Sequence, residues 1–359
     1  MKYKYNWKLK NANFTKDKGT VFSCFACGGG STMGYKLAGF DVIGCNEIDP
    51  RMMEAYKVNH NPKYSYLEPI QTFKNRNDLP DELYKLDILD GSPPCSSFSM
   101  AGNRGKDWGK EKKFREGQTT QVLDDLFFDF IDLAKKLQPK IVVAENVKGL
   151  LLGEAIQYVR RIYDQFDKAG YHVQHWLLDA SKMGVPQRRE RVFFIALRKD
   201  LSEPFMYQKD MFTRMPLLKL EFNETKIKFG DVRDDIGDSK NISDERIKLL
   251  DNLINSDKCI SDINERLYNK VSGFNALIIK DNEVCPTITA GEINYRFFDR
   301  LAFTDDDYKK VGTFPMDYNF LSNKVKYLIG MSVPPVMMAK ISFELYKQWL
   351  IKLNNMHNG

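Results

Sequence analysis

The sequence predicts an α/β fold, a doubly wound and mostly parallel sheet with a second, smaller domain late in the chain. Three observations carry this. Between about residues 20 and 197, short apolar runs alternate with amphipathic helical stretches, as strands joined by crossover helices do. Chemistry-bearing residues stand where those runs end, and open α/β sheets bind ligands beyond their strands' carboxyl ends. From about residue 198 to 285 the texture turns polar and mixed (FNETKIKFGDVRDDIGDSKNISDER), with no sustained alternation.

The apolar runs place strands at 20–25, 41–46, 86–90, 140–144 and 191–197. Val122, Leu126, Phe130, Ala134 and Leu137 recur at four- and three-residue steps, so 122–137 reads as a helix laying one face on the sheet. Residues 336–350 are again helical and apolar on one face, and are expected to return to the first domain. The expected domains are therefore 1–197 with 295–359, and 198–294.

Composition bounds the function. At 359 residues, with 43% hydrophobic and 28% charged, the chain has ample material for a core and is neither disordered nor fibrous. No run of 18 apolar residues exists, and MKYKYNWKLKNANF lacks the apolar stretch of a secretory signal, so a soluble intracellular protein is expected. A formal charge of +6 permits a nucleic-acid partner without demanding one. Six cysteines make no disulfide framework. Cys24 and Cys27 form a C-x-x-C, and His172 and His175 an H-x-x-H. The two pairs stand far apart and there is no second C-x-x-C, which disfavours a metal.

Four segments carry the chemistry. In FSCFACGGGSTMGYKLAGFDVIGCNEID a strand enters a glycine loop, a helix follows, and a second strand ends at Glu47. Glycines let backbone approach a ligand, and an acid about 20 residues on can grip ribose hydroxyls. Dinucleotide spacing would need glycines at 28, 30 and 33, but Met33 stands at the last. A nucleoside site and a purely structural turn both remain open on this segment alone.

In DILDGSPPCSSFS two prolines fix the backbone before Cys95, either a nucleophile or a small buried thiol. In KIVVAENVKGL an apolar strand runs into Glu145, which suits a proton donor or a helix-capping acid. In VPQRRERVFFIAL, Gln187, Arg189 and Arg191 alternate as a strand begins, so both arginines are expected on one face. Glu47, Cys95 and Glu145 would converge on one edge of a parallel sheet.

Together these residues resemble the DNA (cytosine-5) methyltransferases. The similarity covers nearly the whole chain in the family's motif order: FACGGG with Glu47, SPPC, ENV, QRRER, then RLAFTDDDYKKVGTFPMDY and YLIGMSVPPVMMA. The polar segment stands where that family keeps its target-recognition domain. The chain departs from the family pattern at Cys27, Pro69 and Met331, where Gly, Asp and Asn are usual; all three concern cofactor binding.

The resemblance implies a Rossmann-like methyltransferase fold that uses S-adenosylmethionine, leaves S-adenosylhomocysteine and needs no metal. It implies Cys95 as nucleophile, Glu145 at the base N3, and Arg191 with Arg189 at O2. Cofactor contacts would come from Phe25, Ala26, Cys27, Gly28, Gly30, Glu47, Ile48, Ile70, Pro94, Leu126, Met331 and Ser332. DNA contacts would come from Ser99, Arg104, Lys106, Lys112, Lys113, Gln187, Thr287 and Ile288. The segment 104–117, with six basic and three acidic residues, would close over phosphates. Double-stranded DNA is the implied substrate. The chain is expected to be a monomer in the cytoplasm, nucleoid-associated in a prokaryote or phage-infected cell, with a cognate restriction endonuclease as a partner.

Three rivals are weaker. An amino-methyltransferase would carry an aromatic residue after the proline pair, a tRNA enzyme would not need so long a polar segment, and a non-catalytic relative would be expected to have lost Cys95, Glu145 or the arginines.

Overall fold

The computed structural model describes residues 3–94, 125–153, 155–208, 214–240, 242–271, 276–291 and 293–357, with the backbone alone at 111–112 and 121–122. Cys95, Ser99, Arg104, Lys106, Lys113 and the side chain of Lys112 therefore lie outside the described residues. The chain divides into two compact units. One comprises Met1–Ala12, Ala180–Arg189 and Phe222–Met337; the other comprises Asn13–Asp179, Glu190–Glu221 and Met338–Gly359. These bounds differ from the expected breaks at 198 and 295: residues 295–337 group with the polar segment, and 198–221 with the sheet.

The second unit is built on strands β1 (Thr20–Cys24), β2 (Asp41–Glu47), β3 (Tyr64–Leu67) and β4 (Ile88–Gly91). Two-residue pieces β5 (Glu111–Lys112) and β6 (Gln121–Val122) follow, then β7 (Ile141–Val147), β8 (Tyr171–Asp179) and β9 (Glu190–Arg198). Seven of these form one sheet in the order β3-β2-β1-β4-β7-β9-β8. The first five strands in that order run parallel, and β9 runs antiparallel to both β7 and β8. The five expected strands are present, with ends shifted by at most three residues. The sequence reading missed β3 and β8. Tyr64–Leu67 is an edge strand with no buried residue, and Tyr171–Asp179 mixes histidines and a glutamine into a half-buried edge, so neither shows an apolar run.

Helices α1 (Gly30–Ala38), α2 (Pro50–His60), α3 (Ile70–Lys74), α4 (Leu126–Leu137) and α5 (Ala155–Lys168) connect the strands. The predicted helix at 122–137 begins four residues late, at Leu126. Its buried face (Leu126, Phe127, Phe130, Ile131, Leu133, Ala134, Leu137) joins Tyr158, Val159, Ile162 and Phe166 of α5 in the main core. Phe127 meets Phe194 of β9 edge-on at 5.5 Å, and Phe22 stacks on Phe73 at 5.4 Å. At the opposite edge of the sheet from the site, Asp87 aligns three strands. It accepts from the Thr20 backbone N–H at 2.8 Å and pairs with Lys140 at 2.7 Å.

In the first unit, α6 (Asp244–Asp251) and α7 (Ile260–Tyr268) pack Leu249, Leu250, Ile260 and Ile263 against Ala276, Ile278, Tyr295 and Ala302. α8 (Asp305–Gly312) starts at a reciprocal cap between Thr304 and Asp307, and buried Asp307 also pairs with fully buried Arg296. The run Val325–Met356, which contains α9 (Val325–Met331), α10 (Pro335–Leu345) and α11 (Ile351–His357), is long and apolar enough to cross a membrane. It is mostly buried, so its apolar surface is spent on protein packing as in a core helix.

Gly91 closes β4 just before the proline pair. A Cβ there would stand 2.6 Å from the Phe130 ring, which is itself locked in the core. Overpacking of this kind costs about 1–3 kcal/mol. Gly91→Ala is expected to lower unfolding stability by that amount in urea titration, and Phe130→Leu in the same chain should recover part of it. A change within about 0.5 kcal/mol, the range of ordinary surface substitutions, would show that this contact is not tight.

Candidate active site at the carboxyl edge of the sheet

Because β2, β4 and β7 are parallel, their carboxyl ends lie along one edge, bringing Glu47, the Pro93–Pro94 turn and Glu145 to it. The antiparallel β9 reaches the same edge with its amino end. The register pairs Val147 with Arg191, so the arginine arrives where β7 is finishing.

The glycine loop is shaped by its backbone. Phe25 (φ +51°), Cys27 (φ +47°) and Gly29 (φ +88°) are all left-handed. A Cβ on Gly29 would come within 2.1 Å of the His60 ring, so only glycine fits there. Glu47, buried at the end of β2, holds the loop: its carboxylate accepts from the Cys27 N–H at 2.6 Å and from the Ile48 and Asp49 N–H groups at 2.8 Å each. Burial raises its pKa against the pull of those three amides. The residues fit a nucleoside. A glycine turn opens α1, and one oxygen of Glu47 takes a single amide bond, which leaves it an acceptor position. Phe25 and Ile48 are half-buried beside this turn, and Ala26, Gly28 and Gly30 are buried in it.

Glu145 and Arg191 form a partly buried ion pair, Nε to Oε1 at 3.0 Å. Burial pulls the pKa of the guanidinium down, and Glu145 opposes that pull. Next to Glu145, buried Asn146 donates from Nδ2 to the Pro93 carbonyl at 3.1 Å and accepts the Val147 N–H at 2.8 Å. This asparagine fastens the proline turn to β7. In sequence Asn146 carries little signal beyond an amide side chain beside the acid of ENV at a strand end, and its role emerges only in the fold. Pro94 is half-buried, one residue before Cys95.

The structure does not join Arg189 to Arg191, which corrects their expected placement on one strand face. β9 begins at Glu190. Arg189 belongs to the other compact unit, where its terminal nitrogens donate to the carbonyls of Ile288 and Gly330 at 2.9 Å each. Gln187 and Ile288, expected to contact DNA, are buried. The glutamine accepts the Ile288 N–H at 3.1 Å and donates to the Val311 carbonyl at 3.4 Å, so both serve the interior. Thr287 is half-buried and donates to the Arg188 carbonyl at 2.7 Å. Its neighbour Pro286 helps line a groove of about 440 Å³ with Arg188, Lys226, Lys258, Lys280 and Glu283.

Of the remaining expected cofactor contacts, Ile70 and Leu126 are buried in the main core, where each opens a helix whose apolar face packs there. Met331 is exposed, and Ser332 is buried with its hydroxyl donating to the Leu328 carbonyl; both lie in the first unit, the loop in the second. Among the described residues, no group of three His, Cys, Asp or Glu side chains could hold a metal.

The sheet order and the edge site define a Rossmann-like methyltransferase architecture. A model of the C-5 cytosine-specific DNA methylase family matches residues 19–347, and the chain belongs to that family. It is 38% identical over 183 residues to the Type II methyltransferase M.FnuDI of Fusobacterium nucleatum, covering 51% of this chain and 48% of that protein. The chain thus spans about half the length of that relative. Over 343 residues it is 27% identical to M1.HphI of Haemophilus parahaemolyticus, covering 91% and 87% of the two. A mutant DNMT2 of Spodoptera frugiperda shares the fold at a TM-score of 0.62 and 18% identity, over 91% of this chain and 99% of that one.

Removing Glu145 would leave the Arg191 guanidinium partly buried without its counter-charge, which typically costs about 3–5 kcal/mol in a buried pair and less where water reaches. Glu145→Ala is therefore expected to destabilise more than Glu145→Ala with Arg191→Met. Urea unfolding of the two single variants and the double variant measures this. Strict additivity would mean the pair is not coupled.

Proposed function

We propose that the protein transfers a methyl group from S-adenosylmethionine to C5 of a flipped cytosine in a specific double-stranded DNA sequence, through a covalent bond between Cys95 and C6. The observation that carries this reading is the Glu145–Arg191 pair at the sheet edge, with Asn146 fastening Pro93 beside it.

Cytosine C5 is a poor carbon nucleophile. Addition of the Cys95 thiolate to C6 converts the ring to an enamine, and the charge this leaves on the ring is offset by Glu145, donating a proton or hydrogen bond to N3. Arg191, held by Glu145, would take O2 and favour the thiolate. S-adenosylmethionine, when bound, supplies the electrophilic methyl group. Glu47 and the turn from Phe25 to Gly30 would hold it, with Ile48 and Pro94 alongside. Loss of the C5 proton and elimination of Cys95 then restore the ring. The base must leave the stack, at a cost of a few kcal/mol, and segment 104–117 would help by closing on phosphates through Arg104, Lys106, Lys112 and Lys113, with Ser99 near the base.

Target recognition belongs, on this reading, to residues 198–294. The groove lined by Lys226, Lys258 and Lys280 of this segment, together with Arg188, supports an anionic partner, and Thr287 is bonded to the Arg188 carbonyl. The Type II names of the relatives support a place in a restriction–modification system in the cytoplasm of a prokaryote or phage-infected cell, with a cognate endonuclease acting on the same site.

Expression in a host lacking cytosine methylation, with single-base mapping of 5-methylcytosine, tests the function directly: one repeated motif is expected. Cys95→Ala should abolish methyl transfer and retain DNA binding, and DNA carrying 5-fluorocytosine should form a denaturant-resistant adduct with the wild type only. Turnover above a few per cent in Cys95→Ala would remove the nucleophile assignment. Glu47→Ala should weaken S-adenosylmethionine by about 1.5–3 kcal/mol, as for a charge-assisted bond, while DNA affinity holds. Calorimetry showing equal losses for both ligands would assign Glu47 to folding alone.

A further inference from the structure

The sheet carries a buried acid that the chemistry above leaves unused. Asp90, on β4 just before Gly91, is 1% exposed. One of its oxygens accepts from Ser23 Oγ on β1 at 2.8 Å, the other from the Tyr35 hydroxyl on α1 at 3.2 Å. Both donors are neutral, and among the described residues no cation forms an ion pair with it.

The register places it. Asp90 lies opposite Ser23 on one side and Val143 on the other. Side chains directly opposite share a face, as do alternate residues along a strand, so Glu145 stands on the face of Asp90, two residues beyond Val143. On β9, Phe193 is opposite Glu145, and Arg191 lies two residues away on that same face. Ser23, Asp90, Glu145 and Arg191 therefore form a polar row across four adjacent strands.

The row holds two carboxyl groups and one guanidinium, and the guanidinium is paired with Glu145. The Glu145–Arg191 pair is already matched, so an ionised Asp90 adds a buried negative charge. Desolvation raises Asp90 to a pKa of about 7, opposed by the Ser23 and Tyr35 bonds and reinforced by Glu145. The groups facing it are Ser23 on β1, Tyr35 on α1 and Glu145 on β7; Cys24 lies one residue on, on the opposite face of β1, and Arg191 stands beyond Glu145 at the far end of the row. Cys24 and Tyr35 are themselves held neutral by burial.

We propose that Asp90 is a positioning residue whose proton sets the charge balance of the Glu145–Arg191 pair, and that its ionised form favours the protonated Glu145 that the base requires. This rests on the function proposed above. With Asp90 neutral, the row carries one carboxylate opposite Arg191. With Asp90 ionised, two negative groups compete for one cation, and a proton on Glu145 relieves the excess. Linkage gives the sign: the contribution grows as pH rises through the titration of Asp90.

Asp90→Asn keeps a side chain able to bond Ser23 and Tyr35 but cannot ionise. The wild-type to D90N ratio of kcat is expected near unity at about pH 6 and about five- to tenfold at about pH 8, with the cofactor KM unchanged. Tyr35→Phe removes a donor that favours the ionised form, so it should move the wild-type step to higher pH and leave its plateau; it also serves if D90N fails to fold. A ratio independent of pH, or a step unmoved in Y35F, overturns the proposal. Infrared titration of the free protein separates this from failure of the function itself. A protonated-carboxyl band absent in D90N should titrate near neutrality, and the bands removed by Glu145→Gln should change their pH dependence in D90N, whether or not the protein methylates DNA. Absence of both changes likewise overturns it.

Discussion

The pairing of β7 with an antiparallel β9 is the constraint on which the site depends. In a fully parallel sheet, a residue at the start of a strand lies at the edge remote from the ligand. Reversing β9 brings its amino end to the carboxyl end of β7, so Arg191 reaches Glu145 within 3.0 Å although 45 residues separate them in sequence. The same reversal lets four strands contribute to one polar row on a single face of the sheet. Asp87 stabilises the opposite edge, tying the starts of β1, β4 and β7 and so fixing where their ends fall.

The glycine loop shows a different balance. Left-handed backbone at Phe25 and Cys27 costs about 1–2 kcal/mol for each non-glycine residue. The carboxylate of Glu47 offsets this by gathering three backbone N–H groups, one of them from Cys27 itself. That explains how cysteine occupies a position where the family usually has glycine: the backbone demand is real, and the anchoring acid meets it. The loop is thereby shaped before any ligand arrives, which favours binding by reducing the ordering it must undergo. Asn146 does the corresponding work at the proline turn, fixing the chain that leads to Cys95 from the neighbouring strand.

What the sequence by itself determined was everything encoded by local pattern. The apolar runs of β1, β2, β4, β7 and β9, the amphipathic face of α4, and the positions of Glu47, the proline pair and Glu145 at strand ends all follow from nearest neighbours along the chain. Edge strands β3 and β8 were not legible, because a half-exposed strand has no continuous apolar run. The tertiary structure alone decided direction and partnership. Gln187, Arg189 and Arg191 look equivalent as an alternating polar triplet, yet Arg191 pairs with Glu145, Arg189 holds two carbonyls of the other unit, and Gln187 is buried against Ile288. Asp90 in sequence is one acid among 48 Asp and Glu, and only the register reveals it in one row with the Glu145–Arg191 pair, with no ion-pair partner among the described residues. The physical reason is that burial and charge pairing are properties of what folds against a residue from far along the chain, and no spacing rule records them.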